Sequence, residues 1–317
     1  MQKKANPLIS VVVPVYNGFK YLPRLIENLE NQTYRNLEIL MVDDFSTDDS
    51  VKIIEAIVER DNRFKLIKRN TKGGTAVAGQ EYALPFVIGD YYFFMSQDDL
   101  IDDDLLDVCL KRAFEAGADI VMPNMVLYYE NKENKKALDY PLGDDYSSEL
   151  LPKQAFELSL DWQIHGFVLR KTELVRKVGI KAEYYNSDEF YGRCAFLYAN
   201  KIVFADTNFY YRQDNPEAIT KTVKYFTVDV MTTDLMLLDI AIKSNCSKHV
   251  IRKRIHELRG RFVWWTKHLY DKQWSKEQFY YIKAACRNVF RRLLVLSLCY
   301  FVFNKAVTFL IRGMRCI

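Results

Sequence analysis

An α/β fold is what this sequence predicts: a mostly parallel sheet flanked by helices over about residues 1–220, followed by a helical region over 221–317. Three features predict it. Short β-branched or aromatic runs alternate with amphipathic segments from the N-terminus onward. The runs are almost continuously apolar, as strands covered on both faces must be. Beyond residue 220 proline disappears, and aromatic and basic residues are mixed through 225–300. With 317 residues, 49% of them apolar, the chain can bury a substantial core.

Taken in order, ISVVVPV (9–15) is β-branched and bounded by Pro7 and Asn17-Gly18, so it reads as a strand closed by a turn. LPRLIENLE (22–30) has helical spacing, LEILMV (37–42) is a second strand, and VKIIEAIVE (51–59) is a second helix. FKLIKRN (64–70) and YYFFMS (91–96) supply two more strands. Between them lies a Gly-flanked helical stretch from Thr75 to Val87 that must bend or end near Pro85. NKENKKALDYPLGDDYSS (131–148) is polar and turn-rich and reads as an exposed loop; regular structure is expected to resume near Leu151.

Several function classes are set aside by composition. Lys and Arg (45) nearly balance Asp and Glu (41), and a net charge of +4 is too small to imply nucleic-acid binding. The four histidines include no HExxH pair, which removes the basis for a zinc hydrolase. No GxxxxGK[ST] loop points to a kinase or nucleotidyltransferase. Six scattered cysteines without CxxC spacing, and an N-terminus without a signal-peptide pattern, lead to an expected reducing, cytoplasmic setting.

Parallel sheets bind ligands beyond the carboxyl ends of their strands, so the residues just after each strand carry the functional reading. VDDFSTDDS (42–50) places Asp43 and Asp44 at the end of the second strand, and SQDD (96–99) places Asp98 and Asp99 at the end of the fourth. Two acidic pairs on one edge repel unless a cation or a hydrogen-bonding ligand sits among them. Carboxylates without nearby Cys or His favour Mg²⁺ or Mn²⁺, ions suited to a diphosphate. The first pair can instead accept hydrogen bonds from a base or ribose. Asp48 and Asp49 fall in a helix's first turn and read as solvated helix-end charges.

ISVVVPVYNG, the Gln32-Thr33-Tyr34 step, LEILMVDDFSTDDS, GDYYFFMSQDD, YYNSDEFYGR and YYRQDNPEAIT together resemble the family 2 glycosyltransferases of GT-A fold, over roughly residues 8–220. The resemblance implies inverting transfer of a sugar from a nucleotide diphosphate donor, UDP first, to a glycan or lipid-linked glycan in bacterial surface-polysaccharide assembly. It implies that Pro14, Tyr16, Asp43 and Asp44 surround the base and ribose. Asp98 and Asp99 would hold the metal and diphosphate, and Asp188 would be the catalytic base, with Glu189 as the alternative. Inverting transfer is an in-line displacement, so a carboxylate must take the acceptor proton on the face opposite the departing diphosphate. The chain departs from the family pattern at Ser96, where Asp is common, at Phe45, where Gly is frequent, at Ser187, where Glu is usual, and at Gly79, where many relatives carry Arg. Arg193 and Arg212 are candidate substitutes for that Arg. These departures bear on metal affinity and motivate a second reading, a donor-binding or scaffolding subunit of a membrane assembly complex.

Residues 287–317 carry Arg287, Arg291, Arg292, Lys305, Arg312 and Arg315 without any Asp or Glu. The apolar run Leu293 to Phe303 would rise only about 16 Å as helix, against a hydrocarbon core of about 30 Å. A helix lying in the membrane interface is expected, peripheral on the inner face, with Trp264, Trp265 and Trp274 assisting contact with anionic lipid. Self-association through the aromatic helices stays open.

Overall fold

The computed structural model describes residues 6–129, 132–137, 145–216, 221, 223–271 and 273–299. The chain divides into two compact units, Met1–Ala182 with Tyr191–Glu217, and Glu183–Phe190 with Ala218–Ile317.

In the first unit, β1 (Ile9–Val15), α1 (Leu22–Glu30), β2 (Leu37–Asp43), α2 (Ser50–Arg60), β3 (Phe64–Lys68), α3 (Ala76–Ala83) and β4 (Tyr91–Phe94) follow the expected order. Pro85 lies in a 3-10 turn, Leu84–Phe86, that ends the helical stretch, because its ring has no N–H to donate. Then come β5 (Leu100–Ile101), α4 (Leu105–Ala116), β6 (Ile120–Tyr129), β7 (Lys132–Ala137), β8 (Glu149–Leu150), α5 (Pro152–Leu160), β9 (Leu169–Lys171), α6 (Thr172–Val178), α7 (Ser187–Tyr198) and β10 (Ile202–Arg212). The first turn of α7 groups with the second unit.

The strands run in the order β3-β2-β1-β4-β9-β6-β10-β5. β3, β2, β1 and β4 are mutually parallel, β9 is antiparallel to both β4 and β6, and β6 is parallel to β10. The loop expected over 131–148 is in part a strand, since 132–137 pair antiparallel with β6; residues 138–144 lie outside the described ones. KENKKA lacks an apolar alternation, yet strand pairing runs through the backbone.

Alternation along the strands divides the core in two. Ile9, Val11, Val13 and Val15 of β1, with Ile39 and Met41 of β2 and Phe93 of β4, pack with Leu22, Leu25 and Leu29 of α1, Ile54 and Ile57 of α2, and Leu106 of α4. Val12, Leu40, Val42, Tyr92 and Phe94 face the other way, onto Val77 of α3 and Val175 of α6. Both faces are covered, which is why the strand sequences are apolar throughout. Each fully buried Val or Leu contributes roughly 1.5–3 kcal/mol.

The second unit contains α8 (Asp229–Lys243), α9 (Lys248–His268) and α10 (Lys276–Cys299). Asp234 of α8 pairs with Arg254 (2.6 Å) and Arg261 (2.9 Å) of α9, and Phe262 stacks on Phe290 of α10. Trp265 is buried and the Trp274 indole donates to the His268 carbonyl, so these two rings belong to the packing of the unit. Of the three tryptophans expected at lipid, Trp264 is the exposed one. Among the described residues no helix is long and apolar enough to cross a membrane. The helix expected at the membrane interface over 287–317 begins inside α10, where Val289, Leu293 and Leu296 are buried and so pack within the protein instead of facing lipid; its residues 300–317 lie outside the described ones.

Candidate active site

Because β1, β2 and β4 are parallel, the residues that follow them leave the sheet at one edge, with Val15 level with Asp43. Pro14, Tyr16, Asp43, Asp44, Asp98 and Asp99 are therefore brought together in the first unit. Asp188 belongs to the second unit, in the first turn of α7.

The loops at this edge are tied to one another. The Asn17 N–H donates to the Ser46 hydroxyl (3.0 Å), and Asn17 Oδ1 accepts from the Thr47 N–H (2.8 Å). Gly18 N–H donates to Ser50 Oγ (2.7 Å) and Phe19 N–H to Asp48 Oδ2 (3.0 Å), so Asp48 holds a loop in place rather than only facing solvent. Gln97 pairs with Tyr16 on both backbone sides: the Tyr16 N–H donates to Gln97 Oε1 and Gln97 Nε2 donates to the Tyr16 carbonyl, each at 3.0 Å. A Cβ at Gly18 would meet Gln97 Oε1 at 2.6 Å, so the Gln97 side chain would have to shift from Tyr16 to admit it. The Tyr16 ring is 43% exposed, with Lys72 Nζ 4.5 Å from its centroid.

The two acidic pairs live in different electrostatic surroundings. Asp44 is buried but well supplied: its oxygens accept from the Gly73 N–H (2.7 Å) and the Gly74 N–H (2.6 Å), and Arg69 Nε lies 3.1 Å away. Gly74 has φ 73°, a conformation glycine adopts without strain, so the Gly-Gly step lets two amides point at one carboxylate. Asp43 accepts more weakly from the Ser46 N–H, at 3.3 and 3.4 Å. The first pair thus has its charge met by the protein.

In the second pair Asp99 is less well supplied. Asp99 is fully buried; Oδ1 accepts from the Arg212 N–H (3.0 Å), Ser96 lies close enough to temper the carboxyl, and among the described residues Oδ2 has no hydrogen-bond partner. Burial first, then the neighbouring Asp98 charge, push the Asp99 carboxyl well above the usual carboxylate range. Asp98 is partly exposed, and its Oδ2 accepts from Asn215 Nδ2 (2.5 Å), whose Oδ1 accepts from the Tyr21 hydroxyl (2.9 Å). Among the described residues no cluster of three or more His, Cys, Asp or Glu side chains is placed to hold an ion.

Two sequence departures have packing causes. A Cβ at Gly79 would lie 2.7 Å from Pro14 Cβ, so α3 rests directly on β1 and an Arg cannot fit. Ser187 is buried, and its hydroxyl exchanges hydrogen bonds with the backbone of Tyr184, closing the turn before α7. Asp188 is partly buried, and its charge, second to burial, raises the Tyr185 phenol. Glu189 shares that first turn. His165 is structural: its Nδ1 accepts from the Phe167 N–H, Nε2 donates to the Pro123 carbonyl, and burial pushes it down to about 4. Arg193, weighed as a phosphate partner, instead lies over the Trp162 ring, and the Arg212 guanidinium reaches Asp214 (2.9 Å).

Sequence reasoning missed Arg69, Gln97 and Asn215. The Lys-Arg step before Gly73-Gly74 was a usable signal for Arg69, since a basic residue beside a glycine pair after a strand is placed to meet an acidic neighbour. Asn215 lies 117 positions from Asp98 and no local pattern links them.

The model of the Glycosyl transferase family 2 matches residues 10–178, just over half of the chain. The glycosyltransferase GlyG of Streptococcus pneumoniae serotype 4 is 32% identical over 226 residues, 68% of this chain and 74% of GlyG. An uncharacterized glycosyltransferase of Haemophilus influenzae is 43% identical over 101 residues, 32% of this chain but only 40% of that protein, so the chain spans less than half of it. Among solved structures, S. aureus TarS 1–349 in complex with UDP-GlcNAc superposes with TM-score 0.65 at 18% identity, covering 91% of this chain and 83% of that one. A mannosyltransferase from Pyrobaculum calidifontis, in complex with GDP-Man and Mn²⁺, gives TM-score 0.56 at 16% identity over 98% and 87% of the two chains. These likenesses show the expected GT-A type of α/β fold, and with the family match they establish that the chain belongs to the family 2 glycosyltransferases.

Proposed function

We propose that the chain transfers a sugar, with inversion, from a UDP-linked donor to a hydroxyl of a glycan or lipid-linked glycan in cell-surface polysaccharide assembly. One observation carries the donor site: a buried carboxylate oxygen, Asp99 Oδ2, has no hydrogen-bond partner among the described residues and lies beside a second carboxylate, Asp98, past the carboxyl end of β4. A carboxylate so placed costs folding free energy unless a ligand offsets it. Mg²⁺ or Mn²⁺ fits these residues, because such ions commonly take one or two carboxylates and complete their shell with water and substrate phosphates. When bound, the ion neutralises charge on the departing diphosphate.

The remaining roles fall to this chain's own residues. Tyr16 and Pro14 border the space for the base, and Asp43 and Asp44 lie beside it to accept from base or ribose. Asp188 accepts the proton of the acceptor hydroxyl as that oxygen bonds to the anomeric carbon and the carbon–oxygen bond to the diphosphate breaks on the opposite face. The basic, apolar tail within 287–317 docks on anionic lipid at the inner membrane face, near a lipid-linked acceptor. Deleting 300–317 is expected to abolish co-flotation with anionic vesicles.

The test of the reaction is product analysis with a panel of UDP-sugars and GDP-sugars, offered oligosaccharide and polyprenyl-linked acceptors. A glycoside of inverted configuration is expected, with kcat lowered roughly 10²–10⁴-fold in Asp188→Asn and nucleotide affinity unchanged. Transfer of a phosphoryl or nucleotidyl group, or full turnover by both Asp188→Asn and Glu189→Gln, would overturn the assignment.

A further inference from the structure

The segment between α5 and β9 contains a residue whose type and backbone conflict. Asp161 caps α5, and Trp162 follows at φ 56°. The Trp162 N–H donates to the Ser159 carbonyl and the Gln163 N–H reaches back to the Leu158 carbonyl, both at 3.1 Å. This is the hydrogen-bond pair of a helix end that turns left-handed just past its cap, where glycine is the unstrained residue and asparagine the next best. A bulky aromatic there is an outlier, and backbone strain of this kind collects at functional positions.

Filling the core does not account for the choice, because Trp162 is 49% exposed. Its ring is nevertheless held: the Arg193 guanidinium lies 5.0 Å over the centroid, and Arg193 is itself buried. The location bears on ligand binding as well. β9 is antiparallel to β4, with Tyr91 opposite Lys171 and Tyr92 opposite Arg170. The chain entering β9 therefore comes from the edge at which β4 ends and Asp98 and Asp99 follow. Phe167 fastens this segment to the sheet, stacking on Phe94 at 5.8 Å and on Phe209 at 4.5 Å.

We infer that Trp162 is a saccharide-stacking residue, which presents its ring to the apolar C–H face of a pyranose in the acceptor glycan. The inference rests on the transferase reading given above. A pyranose has one face rich in C–H bonds, and an indole carries a negative quadrupole face that attracts those polarised hydrogens. Indole is also stiff, so a ring already held by Arg193 loses little freedom when a sugar settles on it.

The experiment is saturation-transfer NMR with methyl α- and β-glycosides of glucose, galactose and N-acetylglucosamine, recorded without nucleotide on wild type, Trp162→Gly, Trp162→Asn and Trp162→Phe. At least one glycoside is expected to receive saturation on the protons of one ring face. Its affinity should fall roughly threefold to tenfold in the Gly and Asn variants and be largely kept in Phe, as an aromatic stacking contact requires. Gly and Asn suit the left-handed backbone, so their melting temperatures should stay within about 3 °C of wild type. A merely structural Trp162 predicts unchanged glycoside binding in those two folded variants, and that result, or no binding of any glycoside to wild type, overturns the inference. UDP binding, measured separately on the same proteins, should be equal in all four; its absence throughout would sink the transferase reading, a failure distinct from loss of glycoside binding alone.

Discussion

Asp99 sets stability against chemistry in a single side chain. Its carboxyl is buried, one oxygen has no donor among the described residues, and a second carboxylate is its neighbour in sequence. Removing the charge is expected to stabilise the ligand-free fold: Asp99→Asn should raise the unfolding free energy by about 1–3 kcal/mol, read as a melting-temperature gain of several degrees. A lower melting temperature would show that the protein already compensates the charge. Phe45 poses a smaller version of the problem. Its φ of 65° is left-handed, a conformation that glycine adopts without strain. Phe45→Gly is expected to add about 1 kcal/mol of stability in urea unfolding. Gly79, a departure that motivates the scaffolding reading, is explained by contact with Pro14, and Ser187, a departure bearing on metal affinity, by the turn before α7. They no longer argue against turnover.

At the scale of elements, Glu38 shows how the sheet is held at the end opposite the site. This buried β2 residue accepts from Ser10 of β1, from the Ile88 N–H (2.7 Å) and Gly89 N–H (3.2 Å) ahead of β4, and from Lys65 of β3 (2.9 Å). Burial alone would raise its carboxyl; the Ser10, Ile88 and Lys65 contacts outweigh it, and the net shift is downward. A depressed carboxyl contributes stability that is present above its unfolded value of 4.5 and lost as pH falls through the folded one. Glu38→Gln is thus expected to cost roughly 1–3 kcal/mol at pH 7 and to flatten the acid limb of the stability–pH curve. An acid limb identical to wild type would contradict this role. At the site end of the same sheet, Gly79→Ala should destabilise by roughly 1–3 kcal/mol, because α3 has no room to rise off Pro14. The strands β1, β2 and β4 were legible because burial on both faces forces continuous apolar runs. β7 was hidden because its pairing is made by the backbone of a polar stretch, and the burial of Trp265 was hidden because a helix of mixed aromatic and basic residues does not reveal which rings meet a neighbour.

For the whole molecule, sequence order was enough to bring Pro14, Tyr16, Asp43, Asp44, Asp98 and Asp99 to one edge, since parallel strands place their following residues together. What sequence order did not disclose is how the two acidic pairs differ. The amides of Gly73 and Gly74 and the Arg69 side chain answer Asp44 from 25 to 30 positions away, and Asn215 answers Asp98 across 117 positions, a separation that leaves no local pattern. The least-compensated carboxylate is therefore Asp99, and the proposed ion and diphosphate fall at that end of the edge. Calorimetric titration of UDP, with and without Mn²⁺, on wild type and Asp99→Asn tests this most directly. Binding of UDP that strengthens with Mn²⁺ in the wild type, and loses that strengthening in a folded Asp99→Asn, is the predicted result. Equal UDP binding by both proteins whether or not Mn²⁺ is present, or no UDP binding by folded wild type, would contradict it.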